Sequence, residues 1–321
     1  MGTNGSHGRQ NSDANSRKKT ASAQQAGFWE SSLQPGAKPD NNKTEQRDSQ
    51  SFNINKISGW IDEWQFAGEN IITEPLALNI WQAPTDNDVH IKKEWHLDGL
   101  NRTQSRQSQI QLTKLDEEII RIDVQGKLSA AGAQPHSKYH LVYTFLPPGE
   151  LHCHLDFEPV NLVTRLPRLG FKTRLNQDYS DITWYGRGPH ESYADRKDSA
   201  FVDVYQTKIK DLFHPYLRPR ENGNRSDVRW LSISGQNPPT INITGQPLLN
   251  FSLHYCSLEN LTKAEHTNEI NWEKAPYLYI DFAQTGLGSN ACGPDTLPQY
   301  QLKPKRYEFD FTLSLGEMKC Q

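Results

Sequence analysis

The side chains best equipped for chemistry gather in a few short stretches. The densest is Trp184-Tyr185-Gly186-Arg187-Gly188-Pro189-His190-Glu191-Ser192-Tyr193-Ala194-Asp195-Arg196. It carries two carboxylates, Glu191 and Asp195. A glycosidase needs such a pair across a sugar-sized cleft, about 5–5.5 Å apart in a retaining enzyme, one as general acid and one as nucleophile. Here Arg187 and Arg196 sit beside both carboxylates, so the sequence favours internal ion pairing: a network of Arg187, Glu191 and Arg196 that shapes the corner after Trp184. Glycines and a proline fix a tight backbone path. A chain that bends sharply while presenting rings and charges builds a binding surface, and its plainer use is a corner that packs a sheet edge.

Other clusters invite sharper readings. His152-Cys153-His154 has the look of a metal pair. Yet the histidines alternate with the apolar Leu151, Cys153 and Leu155, which places them on the solvated face of a strand, with no third ligand nearby in sequence. Asp86-Asn87-Asp88 suggests a calcium loop but lacks the glycine and distal glutamate of an EF-hand, so it reads as a turn whose side chains satisfy local amides. Pro215-Tyr216-Leu217-Arg218-Pro219-Arg220-Glu221-Asn222-Gly223 reads as a proline-pinned surface segment ending in an Asn-Gly turn. Gly286-Leu287-Gly288-Ser289-Asn290-Ala291-Cys292-Gly293-Pro294 is a loop able to bring its backbone close to a ligand.

The elements that must position these groups are strands. Tyr139, Leu141, Tyr143 and Phe145 alternate with polar or smaller residues. So do Leu151, Cys153, Leu155 and Phe157, then Leu249, Phe251, Leu253 and Tyr255, then Tyr307, Phe309, Phe311 and Leu313. Period two predicts one face toward a core and one toward water. Turns are predicted at Ser58-Gly59, Pro147-Pro148-Gly149, Asn222-Gly223, Ser234-Gly235 and Thr244-Gly245. Helical periodicity is weak, strongest near residues 91–100. Many strands, frequent turns and few helices predict an all-β fold, one large antiparallel double-sheet β-sandwich over residues 51–321.

The 321 residues carry a formal net charge of -3, with 35% hydrophobic content and a mean hydropathy of -0.79. Residues 1–50 contain no Ile, Val or Tyr, and their only large apolar residues are Met1, Phe28, Trp29 and Leu33. Such a segment cannot bury enough surface to offset its ordering entropy and reads as a disordered polar tail. The near-neutral balance argues against a nucleic-acid partner. No run of eighteen apolar residues exists to span a membrane. The N-terminus lacks the apolar core of a secretory signal, so a cytoplasmic location is expected. Without such a signal, the sequons at Asn42, Asn101, Asn224, Asn242, Asn250 and Asn260 read as products of an Asn-rich composition. Cys153, Cys256, Cys292 and Cys320 are scattered, without a CxxC, and read as free thiols.

Taken in order, these segments resemble the C-terminal domain of the glycoside hydrolase 2 β-galactosidases. The matching pieces are Ala83-Pro84-Thr85-Asp86-Asn87-Asp88, the Trp184–Arg196 stretch, Pro215-Tyr216 with Pro219 and Glu221-Asn222-Gly223, and the Gly286–Pro294 loop. The resemblance implies a galactose-mutarotase-like supersandwich. The barrel that carries the family's two catalytic glutamates has no counterpart in this sequence, so the chain resembles the small subunit of the split, heterodimeric enzymes. It would supply no catalytic residue and no metal site. It would complete the galactose pocket and hold a large catalytic subunit active on terminal β-galactosides such as lactose. The family's Mg and Na ions are expected mainly on the large subunit. By the same resemblance Ser289, Asn290 and Cys292 face the substrate. Relatives often place a tryptophan where Cys292 stands, and a thiol offers far less stacking area. Asp86, Asn87, Asp88, Arg187, His190, Glu191, Arg196, Glu221 and Asn222 are expected to shape the domain or its interface. A stand-alone sugar mutarotase would instead need a His base and a Glu acid on one concave face. On a strand, the neighbours His190 and Glu191 would point to opposite faces. A non-catalytic carbohydrate-binding module with stacking tryptophans is a third possibility.

Overall fold

The computed structural model describes residues 50–162 and 164–316. The polar tail predicted for residues 1–50 lies outside them except for Gln50, which opens the first strand. Cys320 also lies outside.

The strands run β1 (Gln50–Ile54), β2 (Ile61–Phe66), β3 (Glu69–Asn70), β4 (Ile72–Asn79), β5 (Thr103–Lys114), β6 (Ile120–Ala130), β7 (Ser137–Leu146), β8 (Glu150–Pro159), β9 (Arg168–Leu175), β10 (Tyr179–Gly188), β11 (Phe201–Lys208), β12 (Arg225–Gly235), β13 (Ile241–His254), β14 (Tyr277–Gln284) and β15 (Tyr307–Leu315). Two short helices interrupt them, α1 (Ile91–Leu97) and α2 (Leu258–Lys263). The first falls in the stretch where helical periodicity was strongest. All strand pairings are antiparallel, in the order β1-β2-β4-β9-β14-β13-β15-β8-β7-β6-β5, with β12, β10 and β11 branching from β13.

The predicted double layer is present, but it is one continuous hydrogen-bonded sheet rather than two. The joint is β13. Its first half pairs with β15 as far as Gln246 opposite Asp310, and its second half pairs with β14 from Asn250 opposite Asp281. Pro247 stands between the two partners, and a residue without an N–H is where a ladder can break and change neighbours. Thr244-Gly245, predicted as a turn, therefore lies inside a strand, at a change of partner instead of a reversal.

Ring contacts show how the sheet folds over. Phe171 on β9 and Phe311 on β15 have centroids 5.0 Å apart. Three strand spacings of about 4.8 Å would separate these strands in a flat sheet. Phe52 on β1 meets Phe145 on β7 at the same 5.0 Å, far across the strand order. The two wings thus close face to face over a core in which Phe157, Phe171, Phe251, Phe309 and Phe311 are fully buried. Each such side chain contributes about 1.5–3 kcal/mol of burial.

The alternation rule holds on the outer wing. Tyr139, Leu141 and Tyr143 are buried, and His152 and His154 stand on the partly exposed face, both against Asp310. It fails in the second half of β13. Ser252 and His254, placed toward water by their period, are buried along with Leu249, Phe251 and Leu253. The chain that covers this second face builds the candidate site.

Candidate functional site

Four segments far apart in sequence converge at one corner: the turn at 85–88, the bend at 189–196, the segment 215–224 and the loop 286–295. Each is held by the others.

Beneath them lies a buried charge knot. Arg168 opens β9 and is wholly buried. Its Nη2 donates to Asp281 Oδ2 at 2.5 Å and its Nε to Asp281 Oδ1 at 3.2 Å, while its Nη1 reaches Glu221 Oε2 at 3.3 Å. Nη2 also bonds Ser252 Oγ at 3.3 Å, which explains a serine buried on the second face of β13. Gly170 permits the approach, since a Cβ there would lie 2.3 Å from Asp281 Oδ1. One cation faces two carboxylates in a dry site. Burial pushes Glu221 up to about 7 against the opposing pull of Arg168, and burial also raises Asp281. Burial, reinforced by Arg168, takes the neighbouring His254 down to about 3, so its imidazole is neutral.

Above the knot, Glu221 N donates to Ala83 O at 3.0 Å, tying 215–224 to the turn at 85–88. Asn222 braces its own segment, accepting from His214 N at 3.1 Å and donating to Arg220 O at 2.8 Å. The expected surface segment is therefore exposed only in part, because Glu221, Asn222 and Asn224 are buried. Arg220 donates to Asp86 Oδ2 at 2.8 Å and lies over the Tyr216 ring at 4.1 Å. Asp88 caps its own turn, its Oδ2 accepting from Thr85 N at 2.7 Å and Oγ1 at 2.8 Å, the Asx role read from sequence.

The 189–196 bend corrects the predicted network. Glu191 pairs with Arg196, as expected, and also accepts from the Tyr216 hydroxyl and from Gly223 N at 2.7 Å. Arg187 takes no part. Its Nε donates to Asp227 Oδ2 at 2.5 Å, and its Nη1 to the carbonyls of Lys197 and Ala200. The reason is the strand: Arg187 is still on β10, opposite Val202, and its guanidinium reaches Asp227 on β12. Asp195 is also not arginine-paired. Its two oxygens accept from Leu287 N at 2.9 Å and Gly288 N at 2.7 Å. His190 is exposed, with Nε2 3.0 Å from Ser199 Oγ.

The loop is thus clamped from two sides. Asp195 holds its entry, where Gly286 leaves room for the carboxylate: a Cβ would fall 2.7 Å from Asp195 Cγ. Asn87 holds its middle, donating to Gly288 O at 2.8 Å and accepting from Ala291 N at 3.2 Å. Thr296 Oγ1 donates to Gly286 O at 3.1 Å. The tip stays in solvent, with Ser289, Ala291 and Cys292 exposed and Asn290 half-buried. Cys292 is not a buried thiol filling the loop. Among the described residues no three His, Cys, Asp or Glu side chains converge as a metal site, and no helix is long and apolar enough to cross a membrane.

Sequence reasoning missed Arg168, Asp281, Asp227 and the clamping role of Asp195. A signal existed for one of them, since Asp281 is a charge set in the otherwise apolar run Tyr277-Leu278-Tyr279-Ile280-Asp281-Phe282.

A two-layered antiparallel sheet with a buried ionic foundation and a clamped, solvent-facing loop defines a large all-β sandwich domain that presents a loop-built surface. The chain belongs to the beta galactosidase small chain family, whose model matches residues 46–313. It is similar to the beta-galactosidase of Staphylococcus xylosus, 29% identical over 265 residues, 83% of this chain and 26% of that protein. The beta-galactosidase of Arthrobacter sp. (strain B7) is 30% identical over 262 residues, 71% of this chain and 25% of that protein. The chain spans about a quarter of the length of these curated relatives. A galactose 1-epimerase structure from Lactobacillus acidophilus NCFM is similar with a TM-score of 0.44 at 11% identity, covering 88% of this chain and 98% of that chain.

Proposed function

We propose that this chain is the small subunit of a heterodimeric β-galactosidase, and that with a large catalytic subunit it hydrolyses terminal β-galactosides by the retaining mechanism. The observation that carries the reading is the engagement of the carboxylates around the corner. Glu191 is held by an arginine, a tyrosine and an amide; Asp195 by two amides; Asp86 by Arg220; Glu221 and Asp281 are buried on Arg168. A retaining glycosidase needs one carboxylate as nucleophile and a second as acid, both open to the sugar. Side chains engaged in this way hold a surface; the reacting pair is assigned to the partner chain, and the Mg and Na ions mainly to it. A mutarotase reading would give His190 and Glu191 the reaction, but His190 is exposed beside Ser199 while Glu191 is bound by Arg196 and Tyr216.

This chain's part is positional. The clamped loop offers Ser289, Asn290 and Cys292 to the rim of the galactose pocket, and the small thiol at Cys292 gives weak hold on the part of the substrate beyond galactose. Mixing tests both statements. The purified chain should show no turnover of a chromogenic galactoside, and activity should appear when the large subunit is added. Turnover by the single chain overturns the assignment. In the mixture, Cys292→Trp should lower KM or shift acceptor selectivity more than it moves kcat. If Cys292→Trp and Cys292→Ala both assemble and leave KM, selectivity and kcat unchanged, the loop tip is not at the pocket.

A further inference from the structure

A second feature lies where β13 changes partners. The strands part there, and a cleft of about 350 Å³ opens beside Pro247, near the lower end of the range for small-molecule sites, roughly 300–1,000 Å³. Its lining includes the apolar Phe282, Pro247 and Leu248, with Pro247 and Leu248 exposed. It also includes Asn224, Asn250 and the Lys197–Asp227 pair.

The polar groups are unevenly used. Asn224 is buried and donates from Nδ2 to Ser192 O at 2.7 Å, yet its Oδ1 has no partner among the described residues. Asn250 donates from Nδ2 to Phe282 O at 3.3 Å, and among the described residues nothing bonds its Oδ1. Lys197, the one cation among the lining residues, lies on the Asp227 carboxylate, which Arg187 also bonds. What remains for a ligand is neutral amides and one carboxylate edge beside an aromatic ring. That set suits hydroxyl donors on a ring with an apolar C–H face, and suits a phosphate poorly.

We infer that this cleft binds a neutral hexopyranose ring, its C–H face against Phe282 and its hydroxyls on Asn250 and Asp227. The site reaches the loop by two short paths: Gln284 lines it two residues before Gly286, and Ala194 lines it one residue before Asp195. The inference goes beyond the proposed function, because it needs no catalytic chain and no turnover.

The experiment uses the full-length chain by itself, titrated with galactose, glucose and lactose by ligand-observed NMR and calorimetry. Saturable binding is expected, with Kd on the order of 1 mM for an open cleft of this size. Asn250→Ala, which removes the half-exposed amide, should weaken it about tenfold. Leu248→Trp, which fills the exposed mouth, should abolish it while leaving the fold intact. Galactose and lactose binding without glucose identifies a galactosyl ring; glucose and lactose without galactose identifies the other ring. Either supports the site. Absence of saturable binding by folded protein up to about 100 mM, or binding unchanged in both variants, overturns it. Neither failure touches the mixing assay, and an inactive mixture leaves this titration standing.

Discussion

On the outer wing, His152 Nε2 and His154 Nδ1 lie 3.3 and 2.8 Å from the same Asp310 oxygen, and Arg306 donates to both oxygens of Asp156 on the next strand. At the corner, Arg168 meets Asp281 and Glu221 with nothing of the three left in water. The two regions use the same chemistry, a basic side chain against a carboxylate, and differ in solvent. In water the attraction is small and hydration replaces a lost partner. In the dry site hydration is gone, so each charge depends on the others for its existence as a charge. The outer ladder decorates a face. The knot decides whether β9, β14 and the 215–224 segment can lie together, and so whether the clamped loop has a base to stand on.

The sharpest way to break the comparison is Arg168→Met. It strands two buried carboxylates and should cost about 3–5 kcal/mol in denaturant unfolding, or leave the chain insoluble. Adding Glu221→Gln and Asp281→Asn should recover much of the loss, because the stranded charges go too. If Arg168→Met alone unfolds at the wild-type midpoint, the knot is not the foundation.

A pH series sharpens the same point. Burial outweighs the pull of Arg168, so Glu221 keeps its proton to about pH 7, above the ordinary glutamate value of 4.5. The folded state then holds a proton that the unfolded state gives up earlier. The stabilisation is complete below about pH 4.5 and is lost as pH rises through about 7. Wild type should lose stability over that window, and Glu221→Gln should remove that component of the slope. Equal slopes in the two proteins would show Glu221 ionised throughout.

Asp195→Ala should have a smaller effect. It leaves the amides of Leu287 and Gly288 without their acceptor, at about 1–2 kcal/mol. Protection of those amides in hydrogen exchange should drop while β9 and β14 keep theirs. Uniform loss across the sheet would mean that Asp195 supports the fold and not the loop. The smallest effect belongs to the outer wing: Arg306→Ala should leave the unfolding midpoint unchanged at both low and high salt. A clear drop would erase the distinction between the two regions.

Much of the architecture was legible because it is local. Tyr139, Leu141 and Tyr143, or Phe309 and Phe311, announce a strand and its buried face without reference to anything distant. Asp88 capping Thr85 was legible for the same reason, with donor and acceptor three residues apart. The Arg187 reading failed because sequence nearness to Glu191 says nothing about direction: Arg187 is on a strand, Glu191 is past its end, and Asp227 on β12 is the true partner. The second half of β13 misled in another way. Period two names the faces of a strand, but not what covers the second one.

By itself the sequence determined that this chain is an antiparallel β domain of period-two strands, with four motif-bearing segments between them. Those properties follow from residue type and spacing over a handful of positions. Only the tertiary structure decided that the four segments meet and that Arg168 serves two carboxylates. The Asp195 and Asn87 clamp on the loop and the cleft at Pro247 also appear only there. Each of these depends on which strands become neighbours after the sheet folds over. That choice is made by the burial of the whole core, and no stretch of sequence carries it alone.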